Sequence, residues 1–131
     1  MAKLLLFLNA FYLGLGTFFS FYLAPLLFKV LEKEYAGRVV EKVFPVYFGL
    51  GLILGSLSLI LGFRLGKWVV IVMILNLIIL AFQEFYVLPI SHHFKFTDYE
   101  TFMRWHGISM VLNLIHLLLV FVLCIKLYLI L

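Results

Sequence analysis

The sequence predicts an all-α fold, an integral membrane four-helix bundle. Three observations point there. First, 66% of the 131 residues are hydrophobic and 12% are charged, whereas a soluble domain averages about 45–50% apolar and about 25% charged. Second, the chain divides into four long apolar runs, at about 4–28, 43–63, 68–90 and 105–127. Each reaches the about 20 residues a helix needs to cross ~30 Å of hydrocarbon. Third, almost all the charge lies between these runs. A mean hydropathy of +1.23 agrees. A soluble globular domain, a collagen, a disordered chain and a disulfide scaffold are excluded, and runs this continuous do not fit ~10-residue alternating barrel strands. The four runs fill the chain, so residues 1–131 form a single four-span domain.

The first run follows Lys3, and Lys3 with Leu4–Leu8 resembles the start of a secretory signal. It continues apolar to Phe28 with no small-residue cleavage pattern after its first dozen residues, which predicts a retained span. Pro25 is expected to bend it or end its regular hydrogen bonding. Segment 29–42 carries acids and bases at helical spacing, which predicts a short interfacial helix or helical extension broken by Gly37. The second run places Pro45 in its first turn, where a missing N–H costs little. Its small-residue stripe, Tyr47, Gly51, Gly55, Ser58 and Gly62, predicts close packing on another helix. Arg64-Leu65-Gly66-Lys67 reads as a tight turn. The third run ends near Pro89, and 91–103 reads as a polar, aromatic connection. No repeat at a fixed period stands out.

Four spans put both termini on one side. That side holds Lys3, Arg64, Lys67 and Lys126 and no acid, while the other holds Lys29, Lys33, Arg38, Lys42, Lys95 and Arg104 together with all six acids. A count of Lys and Arg favours the second side as cytoplasmic, six to four; net charge favours the first, and the sequence reading leans to cytoplasmic termini. The formal charge of +4 speaks to membrane orientation rather than to nucleic acid, and the lipid bilayer is the expected partner, with a homo-oligomer or a membrane-protein complex as further possibilities.

The fourth run carries the most chemistry. His106, Ser109, Asn113 and His116 recur at steps of three, four and three, one polar stripe that must face the bundle interior because lipid offers it no partners. The third run supplies Asn76, Gln83 and Glu84. Glu84 lies about one turn before the interface, where Arg104 or His106 could meet its carboxylate. A polar site of His106, Asn113, Ser109, Gln83, Glu84 and Arg104 follows, with His106 expected to hydrogen-bond the third span. Interhelical hydrogen bonding alone would also explain such a stripe. His92, His93, His106 and Glu84 offer metal donors at undiagnostic spacing, and no catalytic residue or bound cofactor is expected. Haem is disfavoured, because His106 and His116 lie ~15 Å apart on one helix and the first three runs hold no histidine. Cys124, in an apolar stretch, reads as inert, and no phosphate loop, dinucleotide fingerprint, nucleophile elbow or H-E-x-x-H is present.

Three segments also carry a resemblance: Ala36 to Phe48 with Gly37, Lys42, Phe44, Pro45 and Tyr47; Gln83 six residues before Pro89; and Phe102 to Leu114, with His106, Gly107, Ser109 and Asn113. Together they resemble the transmembrane-protein-205-like family of small four-helix membrane proteins, whose members show a K-x-F-P-x-Y-F stretch heading the second span and an H-G-x-S-x-x-x-N motif opening the fourth. Gln83 stands where that family usually has Asn, and 91–103 is shorter than in its animal members, so this compact form looks prokaryotic and implies the inner membrane. The resemblance implies a membrane protein with no established reaction. A weaker likeness runs to copper-resistance membrane domains and to four-helix protoporphyrinogen oxidases, which rely on a first-span histidine where this chain has Asn9 or Ser20. The expected function is therefore non-enzymatic, a transport or homeostasis factor or an accessory subunit, with a metal- or haem-related redox protein as the alternative.

Overall fold

Leucine, isoleucine, valine and phenylalanine at this density leave the backbone no partner but itself, and every long run is helical. The computed structural model describes residues 1–131. Four helices are long and apolar enough to cross a membrane: α1 (Ala2–Val30), α2 (Lys33–Gly62), α3 (Lys67–Phe94) and α4 (Tyr99–Ile130). There is no strand. At 1.5 Å per residue these rods are roughly 42–48 Å long, so each overshoots the ~30 Å hydrocarbon layer. Neighbours in sequence pack side by side, and α4 closes the ring on α1.

The exterior is apolar and the interior is not. Phe7, Phe11, Phe85 and Leu129 are each 66–75% exposed, which suits acyl chains and not water. Asn9, Ser58, Asn76, Gln83, Ser109, Asn113 and His116 are buried. The glycines explain how the helices approach. A Cβ on Gly51 of α2 would lie 2.5 Å from the Tyr12 hydroxyl of α1, and one on Gly16 of α1 would lie 2.6 Å from the Tyr47 hydroxyl of α2. Each tyrosine therefore lies over the other helix's glycine, and the two rings stack at 5.3 Å. Gly55 meets Leu77 and Gly62 meets Leu5 and Met73, so the small-residue stripe sits between α1 and α3. In the connection between α2 and α3, Gly66 takes φ 154° and ψ 153°, a region open only to glycine.

The helix ends depart from the sequence reading in several places, and α4 itself begins at Tyr99 rather than near Trp105. Of the two alternatives for segment 29–42, the helical extension is the one found, since α2 starts at Lys33, but the break expected at Gly37 is absent because α2 runs through it. Pro45 consequently lies well inside α2 rather than in its first turn. The third helix does not stop at Pro89 but continues to Phe94. Polar, helix-forming residues prolong these membrane helices beyond the hydrocarbon.

Pro25 and Pro89 act alike. Each is preceded by one π-helical turn, Phe19–Leu23 in α1 and Gln83–Val87 in α3. Ala24 N–H donates to the Phe19 carbonyl and Leu88 N–H to the Gln83 carbonyl. A proline lacks the N–H that would serve the carbonyl four residues back, and its ring crowds that carbonyl; the wider turn relieves the crowding and re-pairs the backbone. The local sequences match, Phe21-Tyr22-Leu23-Ala24-Pro25 and Phe85-Tyr86-Val87-Leu88-Pro89, a repeated signature that a search for fixed periods overlooks.

These turns divide the bundle into two halves. Toward the termini it is close-packed: Leu5, Val69, Val72, Met73, Leu123 and Leu127 form one buried cluster, and Tyr12, Tyr47, Phe48, Leu80, Val120 and Cys124 form the next. Beyond the π turns, the end of α1 (Ala24–Val30) packs on α2, and the end of α3 (Leu88–Phe94) packs on α4. The α1–α2 and α3–α4 hairpins therefore separate toward the charged end.

Candidate functional site

Two polar systems occupy the interior, one closed and one open. The closed system centres on His116, which has no solvent exposure. Its Nδ1 lies 2.5 Å from Asn76 Oδ1 of α3, and its Nε2 lies 3.0 Å from the Tyr12 hydroxyl of α1. With Nδ1–H donating to Asn76, neutral His116 accepts from Tyr12 at Nε2. Tyr12 Oη also lies 3.0 Å from the Tyr47 carbonyl of α2, so one hydroxyl proton has two acceptors within reach. Tyr47 in turn donates to Asn113 Oδ1 at 3.0 Å, and Asn113 Nδ2 donates to Ser20 Oγ at 2.8 Å. Asn9 adds a further tie, donating to Ser58 Oγ at 3.1 Å. All four helices are joined. This network is matched polar chemistry in a place where unpaired groups would be costly.

The open system lies between the hairpins at the charged end. Three adjoining cavities of about 270, 360 and 550 Å³ all include Phe28 and His106 in their walls. The first is bounded by Phe44, Pro45, Glu84, Pro89, Ser91 and His92 among others. The second reaches inward to Ser20, Ser109 and Asn113 and meets the bilayer between α1 and α4 at Phe21, Met110 and Leu114. Those three side chains are 59%, 59% and 45% exposed. The third runs outward past Gly37, Lys33 and Arg38.

Ser109 and Asn113 are buried, and the amide of buried Gln83 donates to the Ser109 carbonyl at 2.8 Å, joining α3 to α4. Glu84 faces the first cavity, but it pairs with neither Arg104 nor His106; its Oε2 is buried without a hydrogen-bond partner, as is Gln83 Oε1. Arg104 is exposed on the outside of α4. His106 does not hydrogen-bond α3 as expected. It stacks on Phe102, one turn earlier in its own helix, at 5.9 Å, and turns toward the cavities. Gly37, Phe44, Pro45 and Pro89 line the first cavity, Tyr47 belongs to the closed network, Lys42 is exposed, and Gly107 has open space beside it.

The sequence reading overlooked Tyr12, which looks like one aromatic among many in an apolar run. Its signal was position, between Asn9 and Gly16 on the face that carries Ser20. It also overlooked the tie across the cavity mouth. Glu41 of α2 binds Lys95 at 2.6 Å and contacts His92, both at the end of α3, and Lys33 lies 5.1 Å above the Tyr99 ring of α4. These contacts link hairpins that the π turns hold apart. No three His, Cys, Asp or Glu side chains gather as a metal site requires; His92 and His106 line the first cavity, and His93 is not part of its wall.

Outside the membrane spans, Asp98 caps α4, accepting from the Thr101 hydroxyl at 2.7 Å and the Thr101 N–H at 3.3 Å. The Thr101 hydroxyl bond, then its backbone bond, hold this carboxyl below its ordinary value.

Comparison with known proteins gives two matches. A family model described as a domain of unknown function (DUF4149) matches residues 7–100, which takes in most of α1 and all of α2 and α3 and ends as α4 begins. A protein of Aquifex aeolicus (strain VF5), described as an uncharacterized protein, is 60% identical over 117 residues, 89% of each chain. No solved structure matches.

Proposed function

This chain belongs to the DUF4149 family, and from that premise we propose that it is a non-enzymatic membrane protein that holds a small ligand between its two hairpins, as a transport or homeostasis factor. One observation carries the reading. The deep network pairs its histidine, tyrosines and asparagines, whereas Glu84 Oε2 and His106, at the cavities, lack hydrogen-bond partners. Buried polar atoms without partners are uncommon, and ionisable groups at membrane depth commonly mark ligand or ion paths. A purely structural protein gains nothing by keeping such a space beside them. The redox alternative has weaker support, since its metal would lack a gathered donor set.

The motifs around Pro45, Gln83 and His106 also favour kinship with the transmembrane-protein-205-like family. The bacterial relative favours a prokaryotic inner membrane, and we place the termini in the cytoplasm, which reporter fusions at residue 131 and in the connection between α1 and α2 would test.

The binding reading is tested by filling the space. Gly37 lines two of the cavities, and a Cβ there meets nothing within 4 Å. Gly37→Phe, purified in mild detergent, is expected to lose a small molecule that the parent protein retains. Gly14→Phe, on an exposed face of α1 with equal room, is expected to keep it. Identical extracts from the three proteins would overturn the reading.

A further inference from the structure

The form of the open system specifies what it would hold, on the premise that it holds a ligand. Its second cavity does not end in water. It reaches the side of the bundle between α1 and α4, where the wall is Phe21, Ala24, Met110 and Leu114. That opening exists because the π turn and Pro25 direct the end of α1 onto α2 and away from α4. A molecule entering there comes from the bilayer and carries an apolar portion.

The adjoining first cavity is different in character. Three acids face the open system, and two are already matched: Glu41 by Lys95 and His92, Glu34 by Arg38 at 2.9 Å. Glu84 is the one without a basic partner, and its Oε2 has no donor at all. The missing complement is a cation with N–H groups. A quaternary nitrogen carries the charge but gives the Glu84 carboxyl, which lines the first cavity, no hydrogen bond. Ser91 and His106 line the same cavity and offer it further polar groups.

We infer that the cleft between the hairpins binds a membrane amphiphile with a primary ammonium head, its head at Glu84 and its tail in the slot between α1 and α4. The apolar slot disfavours a tail-less soluble amine, and the unpaired carboxylate disfavours an anionic lipid.

The test is native mass spectrometry of the whole protein released from mild detergent with phospholipids of identical chains. Phosphatidylethanolamine is expected to be retained about tenfold more than phosphatidylglycerol, with phosphatidylcholine grouped with phosphatidylglycerol. Glu84→Gln is expected to bring the three within about twofold, and Glu84→Asp to keep part of the preference. Ala24→Phe, which fills the tail slot, is expected to lower retention of all three. Free ethanolamine is expected not to compete. Equal retention by the parent protein, or a preference that survives Glu84→Gln, overturns the inference, and competition by ethanolamine overturns its lateral-entry half. The wider reading fails separately. If Gly37→Phe releases a molecule yet no ethanolamine preference exists, a ligand site remains and the ammonium assignment is wrong. If neither Gly37→Phe nor Ala24→Phe changes what is retained, both are wrong.

Discussion

His116 and His106 share one helix and have opposite circumstances. Three turns apart, one is enclosed by Asn76 and Tyr12 and the other rests on Phe102 at a cavity wall. Replacing His116 by Leu leaves the Asn76 amide oxygen without its donor, while the Tyr12 hydroxyl keeps the Tyr47 carbonyl as acceptor. The expected loss is about 1–3 kcal/mol, toward the lower end because membrane hydrogen bonds average about 0.6 kcal/mol. His106→Leu is expected to stay within about 0.5 kcal/mol, since no hydrogen bond is lost. Thermal unfolding in detergent, followed by near-ultraviolet circular dichroism, separates the two. Asp98 gives a residue-scale pH effect. Its carboxyl is held low by Thr101, so its contribution is present above the unfolded carboxylate value and is lost as pH falls through the lower folded value. Amides in the first turn of α4 are expected to exchange faster below that range, and Asp98→Asn, which removes the titration, is expected to flatten the response. The sequence marked the polar stripe, but it could not tell which members would be satisfied, because each partner lies on another helix.

At the scale of the element, glycine and proline decide how the helices are used. A methyl group at Gly16 or Gly51 would force a tyrosine hydroxyl out of its place. Gly16→Ala and Gly51→Ala are each expected to cost about 1–3 kcal/mol through overpacking, and both disturb the tyrosine stack. Gly14→Ala meets no neighbour and is expected to gain up to about 1 kcal/mol from helix propensity. The ordering of the three midpoints tests the interlock directly, and a loss at Gly14 equal to that at Gly51 would refute it. The small-residue stripe was legible because its spacing is helical and its purpose local. The π turns were not, although Pro25 and Pro89 announced a disturbance. A proline reveals a missing donor, but whether the helix ends, kinks or widens depends on what it packs against.

Across the whole molecule, a tight half supports a divided half. The terminal end is stitched by apolar clusters, and the charged end is held by Glu41, Lys95 and His92. Lys95 and Glu41 are 21% and 34% exposed at their side chains, so this tie contributes modestly to stability. Glu41→Gln is expected to move overall stability by less than about 1 kcal/mol. Its effect belongs to the gap between hairpins: amides near Ser91 to Phe94 are expected to exchange faster, while those around His116 are unchanged. Equal protection in both proteins would show that the tie does not hold the cleft.

Composition alone settled the solvent. So many apolar residues in four runs leave the backbone only helical hydrogen bonding inside a bilayer, and polar side chains only one another. The number of helices, their order and the inward direction of Asn113 follow from that constraint, because it acts locally along the chain. Which polar groups meet was settled by the tertiary structure. Tyr12 reaches His116 across 104 positions, and Glu41 reaches Lys95 across 54, separations at which no periodic pattern is informative. The cleft itself comes from two widened turns whose effect is felt only where the helices should have touched, and that depends on the packing of all four.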